Sequence, residues 1–532
     1  MLRRTNWKGP AVVIGSHVRH VARWPAVVMV QPAAGIGRVP LRGMIEGLAR
    51  CLVEKHGDDV LVMDVERGSE PHDVEPGPGP HRLVVDVPDA PVLAGAAVVA
   101  ALNAHALKHA YTLIDASALG RDSIDALVAF VGGAELDQRL SRRLARLTRT
   151  APGTRPAVEE IKTLPAGWTV VRTELLAPSV AGSLGAAELA RHAVRRLRER
   201  FGRRPTETCG EPHPDRTEKP SVRRPEEVRV RLSFSDTAED TSTDVGGDFS
   251  RWARALTGRR VGLALGGSGA WGYAHAALID ALEEKGMPID LITSASSGSV
   301  IAAYYSVLGA SGTERAIERG WRLEWAVKAA TLSSALLELA VAADTGFPTL
   351  DQLEVMFYPV VTNLSTMDTE FITHASVPWG VRASSTAPGF FGSTVTSDAI
   401  YVDGAVTENV PARLAHHLGA NLVIATNPLP PPSVLPPSRF FSRTLYELNP
   451  FFRLDQFMAS IELMFHSVGD EEAEGYICYD PPPSSFPLFG TFDFKKARSI
   501  YENVRREAEF QATIDKAQKR WDRLAKARTG AV

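Results

Sequence analysis

From residue 261 to residue 310 short apolar runs alternate with amphipathic stretches. The reading is strand, glycine-rich turn, helix, strand, serine-rich turn, helix. The first strand is VGLAL (Val261 to Leu265). The second ends the apolar run Ile289 to Thr293, and a helix beginning Val300-Ile301-Ala302 follows it. A similar alternation covers about residues 10 to 200. Period and β-branched content predict strands at Ala26 to Val30, Asp59 to Val65, Arg82 to Val87, Tyr111 to Ala116 and Thr169 to Arg172. Helix-like stretches lie between and after them, at Leu41 to Lys55 and Ala186 to Phe201. Strands that alternate with helices argue for a parallel sheet. Residues 202 to 250 combine Pro, Gly, Ser, Thr and mixed charge with few large apolar side chains, which reads as linker. Farther on, Trp325 to Val341 is helix-prone and apolar around much of its circumference, suited to a core helix or to the apolar wall or lid of a site. Phe494 to Ala527 sets Ile500, Val504, Ala508, Ile514, Trp521 and Leu524 against a Lys/Arg-rich remainder. That pattern suits a helix packed on the domain or lying on anionic lipid.

Composition narrows the class without choosing the chemistry. The chain has 532 residues, 44% hydrophobic and 23% charged, enough for two or three packed domains. The boundaries that follow are 1–200 for an α/β domain, 201–255 for a flexible linker and 256–532 for a second α/β domain with a helical extension. A net charge of −3 gives no general reason to expect nucleic-acid binding. Cys51, Cys209 and Cys478 are few and widely spaced, so neither a disulfide framework nor a metal-ligand spacing is suggested. The basic start MLRRTNWKGP lacks a clean apolar signal core behind it. The nearest candidate span, Pro91 to Ala110, is broken by Asn103, His105, Lys108 and His109. The expectation is a cytoplasmic protein with no transmembrane helix, touching membrane at most peripherally; the sequence does not address oligomeric state.

Two turns carry candidate chemistry. Gly266-Gly267-Ser268-Gly269 follows a strand and opens a helix, where orphan N–H groups and the helix dipole favour negative charge, as an oxyanion site requires. Ser294-Ala295-Ser296-Ser297-Gly298 places Ser296 at a strand-to-helix elbow, the position from which a nucleophile is exposed; Gly298 is present and Ser294 takes the place of the elbow's first glycine. The simpler readings are tight-turn glycines and helix-capping serines. Asp403-Gly404-Ala405 follows the apolar flank Ala399 to Val402, and His275 sits mid-helix, where a packed histidine is the expected role. Gln31 to Pro40 occupies the place of a phosphate-binding loop but lacks the Gly-Lys-Ser/Thr ending.

These elements, in this order, resemble the patatin-like phospholipases, over roughly residues 258 to 430. The family's motifs are a glycine-rich turn, a Gly-x-Ser-x-Gly elbow and a later Asp-Gly-Gly or Asp-Gly-Ala. The segments Gly380 to Phe391 and Tyr401 to Ala412 resemble those that bring the aspartate strand beside the elbow. The resemblance implies a three-layer α/β/α hydrolase preceded by a Rossmann-like α/β domain. That first domain is weakly similar to the degenerate nucleotide-hydrolase-like region of neuropathy-target-esterase-like bacterial proteins. It further implies Ser296 as nucleophile, Asp403 as its base without a histidine, N–H donors from Gly266 to Gly269, an acyl-serine intermediate, a phospholipid or lysophospholipid substrate, and no metal or organic cofactor. Trp271 stands where the family has arginine. With Ser294, it keeps open a catalytically silent lipid-binding or scaffold protein.

Overall fold

The computed structural model describes residues 26–32, 41–57, 59–66, 72–74, 80–86, 98, 109, 111–115, 169–176, 217–218 and 227–231. It then describes 248–429 apart from 331, 332 and 398, followed by 463–481 and 493–526. Helix Ala186 to Phe201, the turn 33–40 and the proline-rich stretches 430–441 and 482–487 lie outside these residues.

Among the described residues the first sheet has seven strands. They are β1 (Ala26–Pro32), β2 (Val60–Glu66), β3 (His72–Val74), β4 (His81–Asp86), β5 (Tyr111–Asp115), β6 (Thr169–Leu176) and, after β7 (Thr217–Glu218), β8 (Glu227–Arg231), with helix α1 (Leu41–His56) between β1 and β2. Their order is β3-β4-β2-β5-β1-β6-β8, and every pairing is parallel except that of β3 with β4. The five strands read from the sequence are all present. Of the span read as linker, β8 extends this sheet and β7 pairs across to the second sheet. Helix α2 (Asp248–Thr257) also falls in that span, and buries Phe249, Trp252, Ala253 and Leu256 against Ile45, Leu48 and Leu52 of α1. Its apolar residues, Phe249, Trp252, Ala253, Ala255 and Leu256, are confined to the last turns before residue 258, at the edge of a polar stretch whose composition masks them.

The second sheet begins with β9 (Val261–Leu265), helix α3 (Tyr273–Glu284), β10 (Leu291–Ser294) and helix α4 (Ser297–Leu308). Helices α5 (Ser311–Glu318), α6 (Gly320–Ala330) and α7 (Ala335–Thr345) follow, then β11 (Met356–Asn363), β12 (Asp368–Ile372), helix α8 (Val377–Ser384), β13 (Thr394–Val395), β14 (Ile400–Asp403), helix α9 (Ala412–His417), β15 (Leu422–Thr426) and β16 (Ile477–Tyr479). Helices α10 (Ala497–Arg506) and α11 (Ala508–Lys526) close the described chain. The order is β13-β14-β11-β10-β9-β15-β16, with β12 on β11; the central β16-β15-β9-β10-β11 pairings are parallel and the β14 side is antiparallel.

Alternation along the strands produces the layers. Leu263, Leu265, Ile292 and Ile424 enter one hydrophobic core together with α3 and α4. Their neighbours Ala264, Leu291, Val423 and Ala425 enter a second core with α9. The result is helix, sheet, helix, as the resemblance implied. Ile500, Val504, Phe510 and Ile514 of α10 and α11 are buried in the first core, so this pair packs on the domain rather than presenting its apolar face to lipid. Asp290 is fully buried where α2 meets β9: it accepts from Arg254 Nη2 at 2.7 Å and from the Val261 N–H at 2.9 Å. Among the described residues, no helix is long and apolar enough to cross a membrane.

Candidate active site

Register brings the two candidate turns together. Ser294 pairs with Leu265 in parallel, so the chain leaves β9 into Gly266 and leaves β10 into Ala295 and Ser296 at the same edge of the sheet, the carboxyl edge where open α/β sheets hold ligands. Asp403 ends β14, paired with Val361 of β11, the other neighbour of β10. Three motifs separated by up to 137 positions (266 to 403) thus converge through the sheet order β14-β11-β10-β9.

Ser296 has φ 51 and ψ −124, a strained conformation for a residue with a side chain and the one expected of a nucleophile elbow. Neighbouring atoms hold it there. Its N–H donates to the Ser384 carbonyl at 3.1 Å and lies 3.2 Å from Ser384 Oγ, and its carbonyl accepts from Ser385 Oγ at 3.0 Å. Gly298 follows because a Cβ there would stand 2.3 Å from the Leu265 carbonyl oxygen. Gly298→Ala is therefore expected to force the elbow off β9 and destabilise the domain by about 1–3 kcal/mol, read as a lowered thermal midpoint. Ser294 fills its position without an unpaired hydroxyl. It bonds Ser299 Oγ at 2.8 Å, Ser299 donates to Ser384 Oγ at 2.9 Å, and Ser384 donates to the Val360 carbonyl at 2.6 Å. A buried serine relay thus supports the elbow in place of glycine.

Asp403 is wholly buried. Its N–H donates to the Thr386 carbonyl at 3.0 Å, its carbonyl accepts from Thr362 Oγ1 at 3.0 Å, and Oδ1 accepts the Ala405 N–H at 2.9 Å. Oδ2 is buried without a partner at full hydrogen-bond geometry. Burial pushes the carboxyl up to about 7, opposed by the Ala405 N–H and by the Ser296 hydroxyl, the side-chain neighbour that favours its ionised form. A carboxylate poised near neutrality beside a serine hydroxyl fits a general base.

The glycine turn is more committed than its sequence suggests. The Gly266 N–H donates to the Thr426 carbonyl at 3.0 Å, Gly267 N–H to Asn409 Oδ1 at 2.8 Å, and Ser268 N–H to Ser297 Oγ at 3.0 Å. Gly269, at φ 59, opens a 3-10 turn and has no acceptor within it. Three of the turn's four N–H groups are thus engaged in this geometry, that of Ser268 by a side-chain hydroxyl, Ser297 Oγ. A Cβ on Gly267 would sit 2.7 Å from Ser296 Cβ, so glycine there lets the turn approach the elbow. Asn409, Ser297, Ser384 and Ser385 were absent from the sequence-derived candidates. The signal available was slight: Ser297 stood in the elbow itself as one of several serines, and the other three were polar residues within the segments 380–391 and 401–412.

Asn409 is fully buried and spans three elements, accepting from Gly267 while Nδ2 donates to Asn427 Oδ1 at 3.3 Å and to the Phe465 carbonyl at 3.0 Å. Next to it, Glu472 accepts the Val410 N–H at 2.7 Å. Burial and then the neighbouring Glu408 push Glu472 upward, so this acidic pair retains a proton near neutral pH. His275 is buried, with Nε2 bonded to the Gly266 carbonyl at 2.8 Å, and burial lowers it to about 4. It is a neutral support for the turn. Trp271, 3% exposed, belongs to the hydrophobic core.

A pocket opens onto Ser296 and the Gly267-Ser268-Gly269 turn. Its walls include Val300, Leu323, Val327, Leu337, Phe390, Phe391 and Phe465. Leu323 and Val327 come from α6 and Leu337 from α7; within the run Trp325 to Val341, read as core helix or as wall or lid, Val327 and Leu337 both belong to the core and line this space.

The sequence profile of the family described as patatin-like phospholipase matches residues 263–416, the segment from β9 through the Asp403 motif. The chain carries a patatin-like phospholipase domain. The domain is similar to lysophospholipase NTE1 of Coccidioides immitis, 29% identical over 287 residues, covering 49% of this chain and 18% of the relative. It is also similar to patatin-like phospholipase domain-containing protein ZK370.4 of Caenorhabditis elegans, 32% identical over 197 residues (34% of this chain, 14% of the relative). Patatin-like phospholipase domain-containing protein 6 of Homo sapiens is 30% identical over 195 residues, again 34% of this chain and 14% of the relative. The chain thus spans less than a fifth of the length of these relatives. VipD from Legionella pneumophila aligns with 48% of this chain and 67% of its own at 14% identity and a TM-score of 0.28.

Proposed function

We propose that the patatin-like domain hydrolyses acyl esters of phospholipids or lysophospholipids at the cytoplasmic face of a membrane. Ser296 attacks, Asp403 takes its proton, and the Gly269 and Ser268 N–H groups receive the charge that develops on the carbonyl oxygen. Asp403 gives that proton to the alcohol oxygen of the ester as its bond to the acyl carbon breaks, leaving the acyl group on Ser296; it then takes a proton from the attacking water and returns it to Ser296 Oγ as the fatty acid departs. One observation carries the reading: a strained serine next to a buried carboxyl raised to about 7, at the end of an apolar pocket. The pocket's seven named apolar walls suit an acyl chain better than a polar substrate.

The test is labelling by a fluorophosphonate followed by peptide mapping. Covalent modification at Ser296, absent in Ser296→Ala, is the expected result. No labelling of folded protein would instead favour a lipid-binding protein without turnover. That alternative draws on the three turn N–H groups already engaged.

A further inference from the structure

Helix α6 has two working faces. Inward, Leu323 and Val327 wall the pocket. Outward, Trp321, Trp325 and Lys328 recur at the i, i+4, i+7 spacing of one helical stripe. Trp325 is 74% exposed and Trp321 56%, with Leu336 of the adjoining α7 38% exposed. A tryptophan left in water exposes a large apolar ring, whereas the water–lipid boundary accommodates the ring and its N–H together.

The charge around this stripe has a consistent sense. Asp344, 3% exposed, is shared by Arg315, Arg319 and Arg322; Glu324, 5% exposed, is shared by Lys328 and Lys495. Arg315 also reaches Glu318. The two shared carboxylates lie inside, and the cations that reach them from outside are 25–65% exposed and outnumber them. Arg322 additionally stacks over the Trp321 ring, 5.8 Å from its centroid.

We propose that the outer face of α6, with Leu336, is the surface on which this protein docks onto an anionic lipid layer, Trp321 and Trp325 entering the headgroup boundary. The proposal rests on the acyl-hydrolase reading for its purpose. It adds where the lipid layer meets the protein: at the helix whose opposite side bounds the pocket, so an acyl chain enters without crossing the rest of the domain. Apolar insertion supplies most of the affinity and the surrounding cations choose anionic over neutral headgroups.

Vesicle cosedimentation tests this without turnover, using Ser296→Ala protein so that lipid is not consumed. Vesicles of equimolar phosphatidylcholine and phosphatidylglycerol should bind it. Pure phosphatidylcholine should bind more weakly, and added salt should reduce the difference. Trp321→Ser and Trp325→Ser should each weaken binding by about tenfold. In the otherwise wild-type chain, the same substitutions should leave hydrolysis of soluble p-nitrophenyl butyrate and the thermal midpoint unchanged. Equal binding by the double variant, absence of wild-type binding, or indifference to lipid charge would each overturn the proposal. So would a dimer in sedimentation equilibrium that the double variant converts to monomer without change in vesicle binding, which would assign the face to a second copy of the chain. Failure of ester hydrolysis alone would count against the catalytic reading and leave the vesicle result intact.

Discussion

Asp403→Asn is expected to lower kcat on a soluble short-chain ester toward the upper end of the range for loss of a general base, about 10²–10⁴-fold, with KM little changed. Among the described residues no other group is placed to substitute. His275 has its Nε2 proton committed to the Gly266 carbonyl and stays neutral, and the amide oxygen of the variant would still accept the Ala405 N–H, so the fold need not move. The wild-type rate should rise with pH through the Asp403 value of about 7, since only the carboxylate accepts the serine proton. Stability should run the opposite way. The folded carboxyl holds its proton to about 7 while the unfolded one releases it near 3.8, so its contribution is complete below the lower value and is lost as pH rises through the higher. Asparagine has no charge to bury. The variant is therefore expected to exceed wild type in stability by about 1–4 kcal/mol above neutral pH, and to lose that advantage as pH falls toward the unfolded value. Thermal unfolding of both proteins across pH, beside the rate profile, checks the two signs together. A variant both inactive and less stable at alkaline pH would show that Asp403 is mainly structural.

Asn409→Leu carries the second large effect. The asparagine is enclosed by the Gly267 N–H, Asn427 Oδ1 and the Phe465 carbonyl, and leucine would leave all three without their partner in a buried site. At about 1–3 kcal/mol for each stranded group, with partial relaxation, a loss of about 3–5 kcal/mol is expected by denaturant unfolding. In protein that remains folded, kcat should drop by about 10²-fold, because the turn carrying the Ser268 and Gly269 N–H groups would lose its anchor at Gly267 and misplacement on the ångström scale costs about that much. Asn409→Asp keeps an acceptor for Gly267 while losing the two donated bonds. It should retain more activity than leucine if the anchor is what matters, and equal loss in both would remove Asn409 from the positioning of the turn.

Much of the site was legible because its main residues are tied to strand ends. Ser296 and Asp403 each follow an apolar run, and the spacing of such runs is a local property of the chain. What was not legible depends on residues distant in sequence meeting in space. Asn409 matters because Gly267 follows β9, Asn427 follows the neighbouring β15 and the 463–473 helix brings the Phe465 carbonyl to the same point, and Ser384 because α8 ends over the elbow. The four turn residues were read as equivalent donors, yet three of them, Gly266, Gly267 and Ser268, find acceptors, Thr426, Asn409 and Ser297, that other segments contribute. Trp271 stands where the family has arginine, and it is packing around the 3-10 turn, not legible in sequence, that takes it into the core. The C-terminal helices were similarly balanced: their basic faces are visible in sequence, whereas the core that receives Ile500, Val504 and Ile514 is assembled from β-strands and helices far upstream.

Helix α2 sets where this protein can be cut and rejoined. Its Phe249 and Trp252 complete the packing of α1, while its Arg254 neutralises Asp290, which in turn fixes the first residue of β9. A hydrolase fragment beginning at 256 would leave that aspartate buried without its cation, and an N-terminal fragment ending ahead of residue 248 would lose a wall of its own core. Recombination with other N-terminal units would thus succeed only at crossovers ahead of residue 248 and with partners whose first helix presents the same face to Phe249. The two halves form a matched pair, and the short helix between them restricts which new partners either half can acquire.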